Sequence, residues 1–361
     1  MKTIILIPAH NEESSIAATL DSVMAQEVAP DKVVVIPNGC SDRTAAITRT
    51  YPVIVMELPA LAHRKSEALN RAWLAHAYDA DIVISMDADT HLPPHAVGDW
   101  IKELSDASIG GSSSKFTIHQ PKGLLARLQK AEFAAWADLN LHKGHTTVLS
   151  GTGCALSNTA LKQIAARSDR HAPWAYTSQV EDFELTYRIQ ELGYRTIVSP
   201  TVRAYTDSMD SIKSLWGQRM KWQVGTLQDL LAIGFNKHTA ISWGRQALNA
   251  LGVLSLFIWA YIAYTVIHTK AFTFQPLWLI IPAAVTLHRF HGAHRIPHKD
   301  KKDIALSLSF IPHELFILFR YALFIAGWSE IVKSKITKKT KDRWAIQYQA
   351  EGVSHVSPTQ N

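Results

Sequence analysis

Cysteine is scarce in this sequence, and repeats and segments of biased composition are missing. The 361 residues include two cysteines, Cys40 and Cys154, which are too few for a disulfide framework or a thiolate metal site. We expect no secretory signal at the amino terminus, because its first apolar run, Thr3–Ile7, is too short for one. These absences favour a reducing compartment and a first domain that stays on the side where it is synthesised.

Apolar and basic residues are unevenly distributed along the chain. Residues 1–210 alternate short strand-like runs with helix-like patterns, whereas residues 246–330 are mostly apolar and rich in aromatic residues. The formal net charge is +6. Basic residues flank the apolar spans, which favours contact with anionic membrane lipid over binding of nucleic acid. They include Lys299, Lys301, Lys302, Lys333, Lys335, Lys338, Lys339 and Lys341.

The first 86 residues repeat a strand–helix pattern. Continuous aliphatic runs predict buried parallel strands, and apolar residues at helical spacing predict the helices between them. We expect strands over 3–7, 32–36, 53–58 and 81–86, and helices over 14–26, 41–50 and 66–78. The sequence therefore predicts an α/β fold with a mostly parallel sheet covered on both faces, whose ligands bind at the carboxyl ends of the strands.

Polar clusters follow the first two predicted strands. Pro8, Asn11 and Glu12 come after the first strand, and Asn38 and Asp42 come after the second. Each cluster alone is typical of an ordinary polar turn. Together they would surround one pocket at the sheet edge, and their donors and acceptors would suit the base and ribose of a nucleoside.

Two carboxylates follow the fourth predicted strand. Asp87 and Asp89 are separated by one residue, so in an extended chain both point to the same side. Two carboxylates combined with diphosphate oxygens suit Mg²⁺ or Mn²⁺. The alternative is a solvated acidic turn, but the very apolar strand before the pair favours the metal.

Two further motifs lie on predicted helices. Glu181 and Asp182 precede a helical segment, where they either stabilise the helix start or supply a general base, Asp182, for an incoming hydroxyl group. Residues 211–235 form a helix with one apolar stripe, and Gln218 and Trp222 fall together on its opposite face. Trp222 is either a lone exposed aromatic or a ring that stacks on a sugar.

These motifs, in this order, resemble those of the family-two inverting glycosyltransferases, and in particular the membrane-integrated branch that includes cellulose, chitin, hyaluronan and poly-N-acetylglucosamine synthases. The resemblance covers roughly residues 1–235 and implies a GT-A fold. The matching segments are Pro8–Glu13, the nucleoside turn at 38–42, the basic segment Arg64-Lys65-Ser66, the metal motif 87–89, the acceptor-side loop Gly151-Thr152-Gly153-Cys154, the base motif 181–182 and Gln218-Arg219-Met220-Lys221-Trp222.

Two positions depart from the family pattern. Asn38 replaces the usual aspartate of the nucleoside turn, and Lys221 replaces the usual arginine of the Q-x-x-R-W signature. Lysine keeps the positive charge but loses the planar fork of arginine. The departure at Lys221 puts polymer-making activity in question.

The resemblance implies direct displacement at the anomeric carbon, with a nucleotide diphosphate sugar, UDP-linked, as donor. Asp182 would be the base, and Asp89, helped by Asp87, would hold Mn²⁺ or Mg²⁺. Lys65, Arg219 and Lys221 would lie near the diphosphate, Glu181 and the 151–153 loop on the acceptor side, and Gln218 and Trp222 at the acceptor end. The acceptor would be a glycan or a lipid.

Two other functions stay open at this point. One is transfer of a single sugar onto polyprenyl phosphate or a lipid. The other is a non-catalytic membrane subunit that binds nucleotide sugar or scaffolds a complex. The resemblance also implies partner proteins of cell-envelope biosynthesis, no nucleic acid, and a multi-pass protein of the inner (plasma) membrane with a cytoplasmic catalytic domain.

The predicted domains are a catalytic domain over 1–210, an amphipathic interfacial helix over 211–235, a membrane region over 246–330 and a basic cytoplasmic tail over 331–361. Ala247–Ile267 is long enough to span a bilayer. We expect Pro276–Leu287 to return and form a hairpin, and Ile304–Trp328, which contains Pro312, to be bent, re-entrant or interfacial. The rival is three full spans.

Overall fold

The computed structural model describes residues 1–270 and 273–352. The chain forms two compact units. The first contains Met1–Thr226 together with the segment that begins at Asp342, and the second contains Leu227–Lys341. The chain therefore leaves the first unit and returns to it near its carboxyl end.

The first unit contains a seven-stranded sheet. Its strands are β1 (Thr3–Ala9), β2 (Lys32–Pro37), β3 (Ile54–Val55), β4 (Ile82–Ser85), β5 (Ile109–Thr117), β6 (Cys154–Ser157) and β7 (Arg195–Tyr205). Their order is β3-β2-β1-β4-β6-β5-β7, and only the pairs made by β6 are antiparallel. The prediction of a mostly parallel sheet is confirmed.

Both faces of the sheet are buried under helices. These are α1 (Ile16–Met24), α2 (Thr44–Thr48), α3 (Arg64–Ala72), α4 (Ala96–Leu104), α5 (Gly123–Lys143), α6 (Asn158–Ala165) and α7 (Glu181–Glu191). Successive residues of a strand point to opposite faces. Accordingly, Ile4 and Leu6 join one apolar cluster and Ile5 and Ile7 join the other. This double burial explains why β1 is a continuous aliphatic run.

Two early elements differ in form from their predictions, while the ends of the others shift by up to about three residues. The predicted strand 53–58 is regular only at Ile54–Val55, although Met56 and Leu58 still donate backbone hydrogen bonds to β2. The predicted helix 66–78 begins at Arg64 and changes into a π-helical turn over Trp73–Ala77. Neither difference moves the polar residues that follow these elements.

Helix α8 (Ile212–Ile233) carries the predicted apolar stripe. Leu215, Met220 and Val224 in that stripe are at most 2% exposed, whereas Ile212 at the helix start is exposed. These side chains pack inside the protein, whereas an interfacial helix would require them to face lipid. The helix also crosses the boundary between the two units at Thr226.

The second unit is helical. It contains α9 (Ala240–Thr269), a 3₁₀ turn (Pro276–Leu279), α10 (Ile280–Ala293), α11 (Lys301–Leu308) and α12 (Ile311–Thr337). Within residues 1–270 and 273–352, α9 and α12 are the two helices long and apolar enough to cross a membrane. Of the most apolar stretch of α9, 6% is buried, so this helix does not form a packed core of the second unit.

The predicted second span is corrected by the structure. Pro276–Leu287 is divided between the 3₁₀ turn and the first half of α10, and the 14 residues of α10 cover only about 21 Å. Pro312 lies in the first turn of α12, where its missing N–H interrupts no helical hydrogen bond. Pro312 therefore begins a 27-residue helix instead of breaking one, and α12 replaces 276–287 as the second candidate span.

The predicted tail 331–361 is also divided differently. Its first residues complete α12, and a further helix, α13 (Arg343–Glu351), belongs to the first unit. Asp342 caps α13 by accepting a hydrogen bond from the backbone N–H of Ala345 at 3.1 Å. Residues 353–361 of the predicted tail lie outside the described part of the chain.

Candidate active site

A cleft in the first unit opens at the carboxyl ends of β1, β2 and β4 and extends to α7, α8 and α13. Most of the residues predicted for the site line it. These are Pro8, Glu12, Asn38, Lys65, Asp87, Asp89, Gly151, Thr152, Glu181, Asp182, Gln218, Lys221 and Trp222. Asn11, Asp42, Gly153 and Arg219 do not line the cleft wall.

Asn11 and Asp42 hold the two nucleoside loops together. The Asn11 side-chain oxygen accepts a hydrogen bond from the backbone N–H of Ser41 at 2.8 Å. The Asp42 carboxylate accepts from the Thr44 hydroxyl at 2.6 Å and from the Glu13 backbone N–H at 3.0 Å. These contacts lower the pKa of Asp42 against the opposing effect of burial. Both residues therefore brace the loops instead of facing the cleft.

Asn38 and Glu12 are predicted site residues that these loops present to the cleft, and His10 of the first loop lines it as well. The Asn38 side-chain oxygen accepts a hydrogen bond from the backbone N–H of Leu61 at 3.1 Å, so its amide nitrogen is the group left to donate. Glu12 accepts a hydrogen bond from Ser15 at 2.6 Å. Burial and the nearby charge of Asp89 raise the pKa of Glu12 to about 8.

Lys65 connects the strand-end carboxylates to the start of α7. Its ammonium group is 2.7 Å from the carboxylate of Asp87 and 2.8 Å from that of Glu181. Both carboxylates raise the pKa of Lys65 above its ordinary value, against the lowering effect of burial. Lys65 is therefore charged, and it holds the two motifs in one site.

Asp89 is the most strongly perturbed carboxylate at the end of β4. Burial, together with the charges of Asp87 and Asp207, raises its pKa to about 7. Several acids thus share a small volume, and a divalent cation would relieve their repulsion. Residues 1–270 and 273–352 contain no cluster of three or more His, Cys, Asp or Glu that could hold a metal alone. Asp87 and Asp89 would therefore bind a metal together with ligand oxygens and water, as Mg²⁺ and Mn²⁺ commonly do.

Asp182 is fixed at the start of α7. One carboxylate oxygen accepts from the backbone N–H of Gly151 at 3.1 Å, and the other accepts from that of Phe183 at 2.8 Å. Burial and the neighbouring charge of Glu181 raise the pKa of Asp182 to about 6, although Lys65 and both hydrogen bonds oppose the shift. A carboxylate with this pKa suits a general base near neutral pH.

Gly151 allows the loop before β6 to approach these charges closely. A Cβ atom at this position would lie 2.8 Å from the Lys65 ammonium and 3.3 Å from an Asp87 oxygen. Thr152 also lines the cleft, while its backbone N–H and its hydroxyl group both bond to Ser150. A side chain at position 151 would therefore displace the Lys65 ammonium group from its place in the site.

The motif on α8 divides between the cleft and the protein interior. Gln218, Lys221 and Trp222 line the cleft. The guanidinium group of Arg219 instead pairs with Glu132 at 2.9 Å and stacks 4.1 Å from the centre of the Trp222 ring. Arg219 thus supports Trp222 from behind, whereas it was expected to add charge near the diphosphate.

Helix α13 supplies a wall of the cleft that sequence reasoning missed. Trp344, Gln347, Tyr348 and Glu351 line the cleft, at the spacing of one helix face. The Tyr348 ring lies 4.8 Å from the ring of His10. The signal available in the sequence was this helical spacing, together with an aspartate before it that can cap a helix. The segment is short and follows a run of charged residues, so it was interpreted as a tail.

Comparison with known proteins identifies the catalytic region. Residues 2–225 match the family model described as "Glycosyltransferase like family 2". The chain is 27% identical over 239 residues to "Probable glycosyltransferase YdaM" of Bacillus subtilis, with 62% of this chain and 55% of that protein covered. It is 23% identical over 266 residues to poly-beta-1,6-N-acetyl-D-glucosamine synthase of Staphylococcus aureus, covering 71% and 62% respectively. The chain thus spans less than two thirds of the length of both relatives.

A solved structure shares the fold over most of the chain. The mannosyltransferase PcManGT from Pyrobaculum calidifontis, in complex with GDP-Man and Mn²⁺, superposes with a TM-score of 0.60 and 20% identity, covering 91% of this chain and 86% of that one. The fold is therefore GT-A. The family match extends over more than half of the chain, through every strand and the first part of α8. This protein belongs to glycosyltransferase family 2.

Proposed function

We propose that this enzyme transfers a sugar from a nucleotide diphosphate donor, UDP-linked, to a hydroxyl group of a polysaccharide or lipid-linked acceptor at a membrane, with inversion at the anomeric carbon. The observation that carries the proposal is the Lys65 bridge. It brings the Asp87–Asp89 pair and the Glu181–Asp182 pair to one cleft. A pair of carboxylates that can hold a metal, next to a buried carboxylate that can act as a base, suits group transfer better than binding alone.

In the proposed reaction the acceptor oxygen attacks the anomeric carbon, and the bond from that carbon to the diphosphate oxygen breaks. Asp182 accepts the proton of the attacking hydroxyl group. Its two backbone hydrogen bonds fix the carboxylate for this role. A metal bound by Asp87 and Asp89 would supply charge neutralisation for the departing diphosphate. Glu12 and Asn38 would contact the nucleoside.

The part of the cleft that would receive the acceptor is aromatic and acidic. Phe116, Phe133 and Trp222 line it together with Asp207 and Met209. Aromatic faces suit sugar rings, and Asp182 as a base is needed for a hydroxyl acceptor. These features support a sugar hydroxyl over polyprenyl phosphate, whose oxygen is already ionised at neutral pH. Single-sugar transfer stays the second candidate, because Lys221 replaces the arginine of the signature typical of polymer-making enzymes.

Membrane association is supported by the apolar helices of the second unit. Along α9, large side chains such as Phe257, Trp259 and Tyr261 are more than 60% exposed. Such a surface is costly in water and favourable in lipid. We propose that the protein resides in the inner (plasma) membrane with the catalytic unit in the cytoplasm, where nucleotide sugars are available, and that envelope-biosynthesis proteins accompany it.

The test is transfer by the full-length protein in membranes, incubated with UDP- and GDP-linked sugars and Mg²⁺ or Mn²⁺, with products read by mass spectrometry. Asp182→Asn should keep donor binding and lose about 10²–10⁴-fold in rate, the usual contribution of a general base. Asp89→Ala or excess chelator should also remove activity. Glu191→Gln, at the far end of α7, is the matched control. Full activity in chelator would contradict the metal assignment, and a retained rate in Asp182→Asn would contradict the base.

A further inference from the structure

Lys221 is a buried cation that forms no ion pair with any carboxylate of the described residues. The residue is 6% exposed and lines the cleft. In the described part of the chain, no acidic group lies within 4.0 Å of its ammonium and no side-chain hydrogen bond reaches it. Burial lowers its pKa to about 8. A buried ammonium group needs a compensating partner, so its position in a cleft points to an anionic ligand.

The neighbour of this ammonium group is an aromatic ring from the C-terminal helix. The Lys221 nitrogen lies 3.2 Å from the centre of the Trp344 ring. Such a cation–π contact attracts the ammonium group through the negative face of the ring, most strongly for tryptophan and in a desolvated site. This contact is not an ion pair, and the carboxylates of Glu181, Asp87 and Glu351 act on the Lys221 charge only from a longer distance. Trp344 can therefore hold Lys221 in place while its charge is available to a ligand.

Three contacts fix the helix that carries Trp344. The guanidinium of Arg64 forms a two-pronged ion pair with the carboxylate of Asp342, immediately before α13. The Tyr348 ring lies against His10. Gly217 of α8 packs so closely that an added Cβ atom would lie 3.2 Å from that of Ala350. The helix is thus connected to both the nucleoside side and the α8 side of the cleft.

Other cations of the cleft have anionic partners. Lys65 bonds to Asp87 and Glu181, and Arg64 bonds to Asp342. Arg219, behind the wall, bonds to Glu132. Among the cleft residues that the structure describes, Lys221 is the lysine or arginine without such an ion pair, so its charge can meet a newly arrived anion. In the proposed reaction the anion that enters the cleft is the donor diphosphate, on which negative charge grows as the sugar departs.

We propose that Trp344 is a positioning residue that holds the Lys221 ammonium toward the donor diphosphate, which makes the C-terminal helix a working part of the active site. The inference rests on the proposed function, because the anion is the diphosphate of its donor. Trp344 acts through Lys221 and forms no bond in the reaction.

The experiment is a double-mutant cycle on the full-length protein in detergent, with UDP affinity measured by calorimetry in Mg²⁺. Lys221→Met and Trp344→Leu should each weaken UDP binding by about tenfold, the loss expected for a desolvated charge contact. The double variant should also lose about tenfold, and not about a hundredfold, because residues that act as one unit are non-additive. Trp344→Phe, which keeps a ring, should lose less than about threefold.

Gln349→Ala is the control, since Gln349 is exposed on the same helix and does not line the cleft. Additive losses in the cycle would overturn the proposal. So would a Trp344→Leu protein with a lower melting temperature and unchanged UDP affinity. If Trp344→Leu does not fold, the same cycle with Trp344→Phe decides between additive and non-additive losses. If the wild-type protein binds neither UDP nor GDP, the proposed function itself fails along with this inference.

Discussion

Gly151 has no functional group, yet at the residue scale the site depends on it. A methyl group at this position would approach the Lys65 ammonium to 2.8 Å. Lys65 would then have to move away from Asp87 or Glu181, and the bridge between the two motifs would be lost. Gly151→Ala should therefore reduce kcat by at least about tenfold while the protein remains folded, since a misplacement of about 1 Å can cost more than that.

The measurement is the initial rate of sugar transfer, with circular dichroism as the test of folding. Gly244→Ala is the matched control, because a Cβ atom at Gly244 would meet no heavy atom within 4 Å. Equal rates for Gly151→Ala and wild type would show that the Lys65 bridge is dispensable.

The pH dependence of transfer should report the state of Asp182. Its pKa is raised from 3.8 to about 6. The base form is the ionised one, so activity is lost as pH falls through the raised pKa. We expect kcat to rise roughly tenfold per pH unit below about 6 and to level off near pH 7. The measurement uses saturating donor and metal. Without a metal, Asp89 also has a raised pKa, of about 7, and its titration would overlap with that of Asp182. A rate that stays constant as pH falls below about 6 would exclude Asp182 as the base.

The positions of the carboxylates could be predicted from the sequence because strand ends fix them. Asp87 and Asp89 follow a strand whose apolar run leaves little doubt about its place, and both line the cleft. The place of Arg219 could not be predicted. It depends on Glu132, 87 residues earlier in the chain, and no local pattern reports that contact.

At the scale of elements, α13 depends on its ion pair with α3. The Asp342 carboxylate is half-exposed, so charge loss there should not unfold the protein. Asp342→Asn should loosen the helix and weaken UDP affinity by about threefold to tenfold, as expected when a charge-assisted two-pronged bond is lost. Asp79→Asn, which removes an exposed ion pair with Lys2, is the matched control. Unchanged UDP affinity in Asp342→Asn would show that α13 keeps its position without the ion pair to Arg64.

Helix α13 and the start of α12 show why some elements escape sequence analysis. The nine residues of α13 are too few to be stable alone, so only packing on the first unit reveals the helix. Proline breaks a helix when it lies in the interior and is tolerated when it lies in the first turn. The role of Pro312 therefore depends on where the helix starts, and the local sequence pattern does not determine that position. The alternation of strands and helices over 1–86 was predictable because every repeat buries an apolar run.

At the scale of the whole molecule, the chain path limits the membrane topology. It leaves the first unit after Thr226 and is back at Asp342, whose carboxylate pairs with Arg64. Any crossings between these points must therefore be even in number. The two candidate spans, α9 and α12, satisfy that condition. The lysines from 333 to 341 then lie on the catalytic side, as the positive-inside rule prefers.

Cysteine labelling tests this path directly. In a background with Cys40 and Cys154 replaced by alanine, Thr340→Cys should resist a membrane-impermeant maleimide in intact cells and react after permeabilisation. Thr340 is two residues from Asp342, so it must share the side of the catalytic unit. Thr273→Cys, which follows α9, should react in intact cells. Labelling of Thr340→Cys from outside would require an odd number of crossings and contradict the even path. If Thr273→Cys also resists labelling until permeabilisation, α9 lies along the membrane surface and does not cross it.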